Sequence, residues 1–360
     1  MKKSVVVVIA LFISVPAMLV AHDQPRPVVS VFATGFDNPR GLAFGPDGKL
    51  YVAEAGTGGV ESTAAICPEL QIGPPFGPYV NGPTARISRV DRHGRRTTVL
   101  DGLPSGQSQF PDWQGVADVA FIGKTLFGLV QGGGCSYGSA DFPKSIVAVN
   151  TETGRYRIVA DLGAFRRAHP TPIPDDDLEP EGVFYNMVSL AGRLYAVDVN
   201  TGALVEVRRH GRVRTVVDFT GRFGHIAPSA LAVRNGFIYV GNIHELPIVD
   251  GASVVFEVNP RTGALRKVAR GLTAVVAIAF DKRGRLYALE MGNGQGSGFP
   301  DPGAGRVVRV GKHGDVEVIA DGLTFPTGMT FGPDGRLYVS NRGFDIPPNG
   351  TGEILVVDVR

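Results

Sequence analysis

Six aromatic residues mark a repeat in this 360-residue chain: Tyr51, Phe127, Tyr195, Tyr239, Tyr287 and Tyr338. Three positions after them stand Glu54, Val130, Asp198, Asn242, Glu290 and Asn341. Oxygen-bearing side chains that recur at one offset around a ring can converge on its axis. Several converging oxygens are what calcium, magnesium or another hard divalent ion requires. Glu181, ahead of the third repeat's inner strand, can add one more. The same residue types also tie down loop amides inside a single repeat, which is the plainer use of them.

Other side chains with chemical potential fall in the irregular stretches between repeats. His169, His225 and His244 lie there, and histidine is the usual general base or metal ligand. His225 and His244 are candidate catalytic residues, although a loop histidine is more often simply exposed. Asn38 and Arg40 precede the first inner strand, and Arg342 follows Asn341. An arginine in such a place can hold an anionic group. Trp113 and Phe110 can stack on a ligand or cover the core. Asn38, Arg40, Trp113 and Arg342 are therefore the candidate ligand-binding residues. Asp175-Asp-Asp177 reads as a solvated surface loop, and His93, His210 and His313 share one recurring turn. The chain has no His-Glu-x-x-His, Cys-x-x-Cys or Walker loop. The Gly-rich stretches 132–134 and 292–298 read as loop tips.

The elements that must position these residues are legible in the repeat. Gly41-Leu-Ala-Phe-Gly-Pro-Asp-Gly-Lys-Leu-Tyr-Val52 returns almost unchanged as Gly328-Met-Thr-Phe-Gly-Pro-Asp-Gly-Arg-Leu-Tyr-Val339. The marker aromatics are spaced by 76, 68, 44, 48 and 51 residues, and the last three intervals suit a four-stranded propeller blade. Around Tyr287, Val275–Phe280 reads as a buried inner strand, followed by a Gly turn, a second strand and an alternating hairpin. The reading is all-β: a six-bladed β-propeller with four antiparallel strands per blade. After Tyr338 only one strand remains, Glu353–Val359, so the last blade lacks its fourth. Val28–Ala33 has the phase of that strand and is expected to close the ring. The domain is expected over residues 28–360.

Turns after first and third strands are short, whereas 55–85, 131–144, 241–252, 291–305 and 343–352 follow second strands. Residues 103–115 and 163–180 follow fourth strands. Both kinds of long connection open on one face of an up-and-down disc, so function is expected on that face and at the mouth of the central channel.

The first 21 residues read as a secretory signal: Lys2 and Lys3, the uncharged apolar run Val5–Val20, then Ala21, with an uncleaved anchor as the rival. A secreted or extracytoplasmic protein is expected. Removing Lys2 and Lys3 takes the formal charge from +2 to zero. A neutral domain gives no electrostatic reason to expect nucleic acid or anionic lipid as a partner. No membrane span is expected after cleavage, and a monomer is expected. Cys67 and Cys135 sit in loops of neighbouring repeats, where both a bridge and free thiols remain open.

The segments Pro39–Val52 and Pro326–Val339, with Glu179-Pro-Glu-Gly182 and Leu194-Tyr-Ala-Val-Asp-Val-Asn-Thr-Gly-Ala-Leu204, resemble the ScyD/ScyE family of exported proteins. NHL-type propellers share the repeat motif, and blade two departs from it at Val130. The resemblance implies a secreted propeller that binds a small molecule or a protein on its loop-rich face, with no settled reaction. Its wider relatives include the gluconolactonase and SMP-30 group. That likeness implies one divalent ion at the channel mouth, with Glu181, Asp198, Asn242 and Glu290 as candidates by type and face, and a metal-dependent lactonase as an alternative. Quinone-dependent sugar dehydrogenases share the strand pair and give a third reading.

Overall fold

Four of the six marker aromatics lock one blade to the next through a ring contact. In the computed structural model Tyr51 meets Phe121 edge-on at 5.0 Å, Tyr239 meets Phe280 at 4.7 Å, Tyr287 meets Phe331 at 5.2 Å and Tyr338 meets Phe44 at 5.1 Å. Each partner lies on the following blade's inner strand, and edge-to-face geometry is the favoured aromatic arrangement. The Gly-Pro-Asp-Gly turn holds the tyrosine from the other side. The hydroxyl of Tyr51 donates to Asp47, and that of Tyr338 donates to Asp334 at 2.9 Å. A Cβ on Gly45 would stand 2.6 Å from the Tyr51 ring, and Gly48 has a φ of 72°. Glycine is therefore required at both places.

The structure describes residues 28–360 except 71–72, 75–76, 109–111, 171–178, 245–246, 293–298, 312–313, 345–349 and 360. The signal segment, Phe110, Asp175–Asp177, His313 and most of the Gly-rich 292–298 lie outside the described residues.

Six antiparallel sheets form a six-bladed β-propeller. Inner strands are Pro39–Phe44, Val116–Ile122, Phe184–Leu190, Pro228–Arg234, Val275–Phe280 and Gly328–Phe331. They are mostly buried, as Val-Val-Ala-Ile-Ala-Phe280 shows, because neighbouring blades cover both faces. Outermost strands are exposed over part of their length: Val316 and Val318 face solvent, whereas Ile319 and Ala320 are buried. The ring closes as the sequence implies. Val29–Phe36 pairs with Gly352–Val357 in the last blade, with Val29 opposite Val357.

The long connections open on one face, here called upper, and the short turns on the lower face. Two connections carry helices that strand periodicity does not reveal. Leu162–Ala168 is capped by Asp161, whose side chain accepts from Ala164 N, and Thr220–Phe223 is one turn. Blade one is larger than the repeat suggests: its third and fourth strands run Val80–Val90 and Arg96–Gln107, and Trp113–Gln114 adds to its edge. Cys67 and Cys135 form a disulfide, with Cα atoms 5.5 Å apart, that ties blade one's long loop to blade two's.

Candidate functional site at the upper end of the channel

The strand register sets one ring of residues at the upper end of the channel. Each stands three positions before the inner-strand residue paired with its blade's marker aromatic: Arg40, Ala117, Tyr185, Ser229, Val276 and Thr327. Four are small or medium-sized. Arg40 and Tyr185 are large, and together they fill the axis. The Arg40 guanidinium donates to the Trp113 carbonyl and stacks on the Phe344 ring at 3.6 Å. The Tyr185 hydroxyl reaches across the channel to the Thr327 carbonyl at 3.3 Å. Burial holds the guanidinium below its ordinary value, against the pull of Tyr185 and Asp112. Burial pushes the Tyr185 phenol up to about 12. The result is a desolvated cation walled by aromatic rings, with one carboxylate nearby.

A buried polar network borders this ring. Tyr79 donates to Asp112 at 3.1 Å and packs on Tyr137 with centroids 4.5 Å apart. Tyr137 donates to both oxygens of Glu179 at 2.8 Å. Lys144, fully buried, donates to Glu179 at 3.0 Å and to the Gly182 carbonyl at 2.7 Å. Desolvation pushes the Glu179 carboxyl up to about 7, against the opposing pull of Lys144. Asp112, Tyr137 and Lys144 had no signal in the sequence, and Glu179 stood out there only as part of a family-like segment. Their partners lie 33 to 42 residues away.

Below the ring a cavity of about 450 Å³ is lined by all six inner strands. Asp118 stands at its upper end and accepts from Val119 N and Met187 N, both at 2.7 Å. Burial pushes this carboxyl up to about 7. Asn186 accepts from Leu231 N at 3.1 Å, so the two side chains stitch adjacent inner strands together.

The polar residues at the shared offset act inside their own blades. Glu54 accepts from Asp37 N at 2.8 Å and from Arg96 and Ser88. Asp198 accepts from Val183 N at 2.9 Å and from Thr201, and pairs with Arg166. Asn242 accepts from Val254 N and donates to the Ile226 carbonyl, both at 2.8 Å. Glu290 accepts from Thr273 N at 2.8 Å and from Arg306. Asn341 accepts from Thr324 N at 2.9 Å. In blade two, where Val130 holds the offset, Gln131 accepts from Phe184 N at 2.8 Å instead. Glu181 accepts from Ser136 and Arg167. Among the described residues, Glu181, Asp198 and Glu290 belong to no group of three or more His, Cys, Asp or Glu side chains able to hold an ion.

Of the remaining candidates, Arg40 and Trp113 come together at the channel. Asn38 is buried and donates to the Gly56 carbonyl at 2.9 Å. Arg342 lies outward, 3.8 Å from Glu353. His225 and His244 are partly buried near one another in the chain's path, since His244 N donates to the Ile226 carbonyl at 3.1 Å.

Comparison with known proteins sets this site in context. No curated protein matches the sequence. A gluconolactonase from Xanthomonas campestris is 11% identical, with a TM-score of 0.54 over 92% of this chain and 90% of that one. A luciferin-regenerating enzyme is 12% identical, with a TM-score of 0.52 over 92% and 95%. Virginiamycin B lyase from Staphylococcus aureus is 10% identical, with a TM-score of 0.50 over 93% and 100%. Identities this low carry the fold alone, and three differently named enzymes share it. The sequence itself is more informative over its second half: residues 180–342 match the family model described as an SMP-30/gluconolactonase/LRE-like region.

Proposed function

We propose that this chain is an exported, ScyD/ScyE-like propeller that binds a small molecule bearing an anionic or carbonyl oxygen at the upper end of its channel. The observation that carries this reading is Arg40. Its guanidinium is buried among Trp113, Tyr185 and Phe344, with no carboxylate bonded to it among the described residues. A desolvated cation in an aromatic setting favours an oxyanion or a polarised carbonyl far more than an exposed one does. Partly buried groups at its rim, Asp112, Gln114 and Phe344, supply polar and stacking contacts.

The SMP-30/gluconolactonase/LRE-like region favours a second reading, lactone hydrolysis assisted by a divalent ion. Both are tested in one experiment. Trp113 is the single tryptophan, so intrinsic fluorescence reports directly on the site. Titration with gluconate and glucono-lactone is expected to shift its emission, and Arg40→Met is expected to abolish the shift while keeping the cooperative melt. No response to either compound, or an unchanged response in Arg40→Met, would sink the proposal. Lactone turnover that rises with added calcium would install the second reading in its place.

A further inference from the structure

Net charge near zero conceals a strong segregation of charge between the two faces of the disc. In the eleven turns of the lower face, thirteen described Lys and Arg stand against six Asp and Glu. In the described upper loops the balance runs the other way, eight acidic residues against five basic ones. Four of the six lower-face acids pair with a basic residue of their own turn: Asp47 with Lys49, Asp91 with Arg95, Asp281 with Arg285, and Asp334 with Arg336. A neutral total therefore does not describe the charge that this face presents.

The excess is densest below blades two and three. The turn Arg208-Arg-His-Gly-Arg212 carries three arginines and no acid. A Cβ on Gly211 would stand 2.3 Å from the Val159 carbonyl, so this turn sits against blade two's outer strand, Tyr156–Asp161, which carries Arg157. Beside it a groove of about 610 Å³ is lined by Lys124, Arg155, Arg157 and the exposed Tyr156, with Glu152 as its acid. Among the described residues, Lys124, Arg155, Arg157, Arg209 and Arg212 form no ion pair. Rigid short turns present these cations at one level, which matches an extended flat anion.

We infer that the lower face docks on the surface of an anionic phospholipid bilayer. Charge complementarity is the first reason: each Lys or Arg near such a surface adds attraction, and a tyrosine at a headgroup-sized groove suits the interface. The course of the chain is the second. Val29 pairs with Val357, the end of a third strand, so the N-terminal strand starts at the lower face. In the sequence, the apolar run Val5–Val20 precedes that end of the strand. An apolar segment together with a polybasic patch supplies the two signals that stable membrane attachment requires.

The test is sedimentation of the full chain with vesicles of phosphatidylcholine alone and with vesicles containing phosphatidylglycerol. The ratio of the two affinities isolates the cationic face from the apolar segment. The expected result is a preference for phosphatidylglycerol that fades with salt. Arg157→Gln/Arg209→Gln/Arg212→Gln should reduce that preference on the order of 100-fold, whereas the Arg→Lys triple variant keeps it. If the glutamine variant fails to melt cooperatively, Lys124→Gln/Arg155→Gln provides the same comparison. Equal binding to both vesicles, or a preference unmoved by the glutamine variants, overturns the inference. So does tight binding to heparin or duplex DNA without any phosphatidylglycerol preference, which would assign the face to a soluble polyanion.

Discussion

Asp118→Asn is the substitution whose effect the structure defines most closely. The Asp118 carboxylate lies at the upper end of the channel cavity, 4% exposed, and accepts from two backbone N–H groups. No cation bonds to it among the described residues. Burial raises its pKa from 3.8 to about 7, against the pull of those two bonds. A folded-state value above the unfolded one means that the native state binds the proton more tightly. The resulting stabilisation is complete below the unfolded value near 3.8 and is lost as pH rises through about 7. A shift of roughly 3 units corresponds to about 4 kcal/mol as an upper bound across that window. Glu54 and Glu179, also pushed up to about 7, act in the same direction. The wild type should therefore gain stability on mild acidification from pH 8 to pH 5. Asp118→Asn keeps the shape, removes the titration and flattens that slope by its share. Its absolute stability falls as well, because an amide can satisfy only one of the two N–H donors. The assay is denaturant unfolding of both proteins at several pH values, read as the difference in slope. Parallel curves would refute the assignment of a raised pKa to Asp118.

Two further perturbations test the architecture. Replacing Cys67 and Cys135 by alanine opens a closed loop with a sequence separation of 68 and should cost about 4 kcal/mol in denaturant unfolding; an unchanged midpoint would show that the upper loops are fixed without the bridge. Deleting Val28–Ala33 removes much of the closing strand, with buried Ala33, and should destabilise the whole propeller by at least about 3 kcal/mol, read as a lower thermal midpoint. A blade six that melts alone, leaving the rest unchanged, would contradict ring closure as a global constraint.

The fold was legible because its decisive contacts are local. Gly-Pro-Asp-Gly-x-Leu-Tyr encodes a turn whose aspartate receives its own tyrosine four residues on. That tyrosine then meets the next blade, so a short motif fixes both the hairpin and the packing. The upper face was legible through loop lengths, and Arg40 and Trp113 through their positions beside an inner strand. Asp118 was not. Within Val-Ala-Asp-Val-Ala-Phe it reads as one polar residue in an apolar strand, and its second donor, Met187 N, lies 69 residues away. Tyr137, Lys144 and Glu179 meet only because the loops of blades two and three fold over each other. The cationic face was hidden for another reason: total charge carries no information about which turns hold the arginines.

The polar residues at the shared offset also show why periodicity in type is a poor guide to convergence. Each of Glu54, Asp198, Glu290 and Asn341 receives a backbone N–H at the entry to its own inner strand. Turning Glu290 toward the axis would strip Thr273 N of its acceptor and leave Arg306 unpaired in a largely buried setting. A single orphaned buried donor costs about 1–3 kcal/mol, and an orphaned charge more. Rings of identical function are thus consumed by the structural work that every blade needs. The proposed binding site lies instead where the ring is broken. At the height where four blades carry Ala117, Ser229, Val276 and Thr327, the two exceptions are a buried cation and a buried phenol, Arg40 and Tyr185. They face the same axis from blades one and three, and the long loops of the upper face lie directly above them.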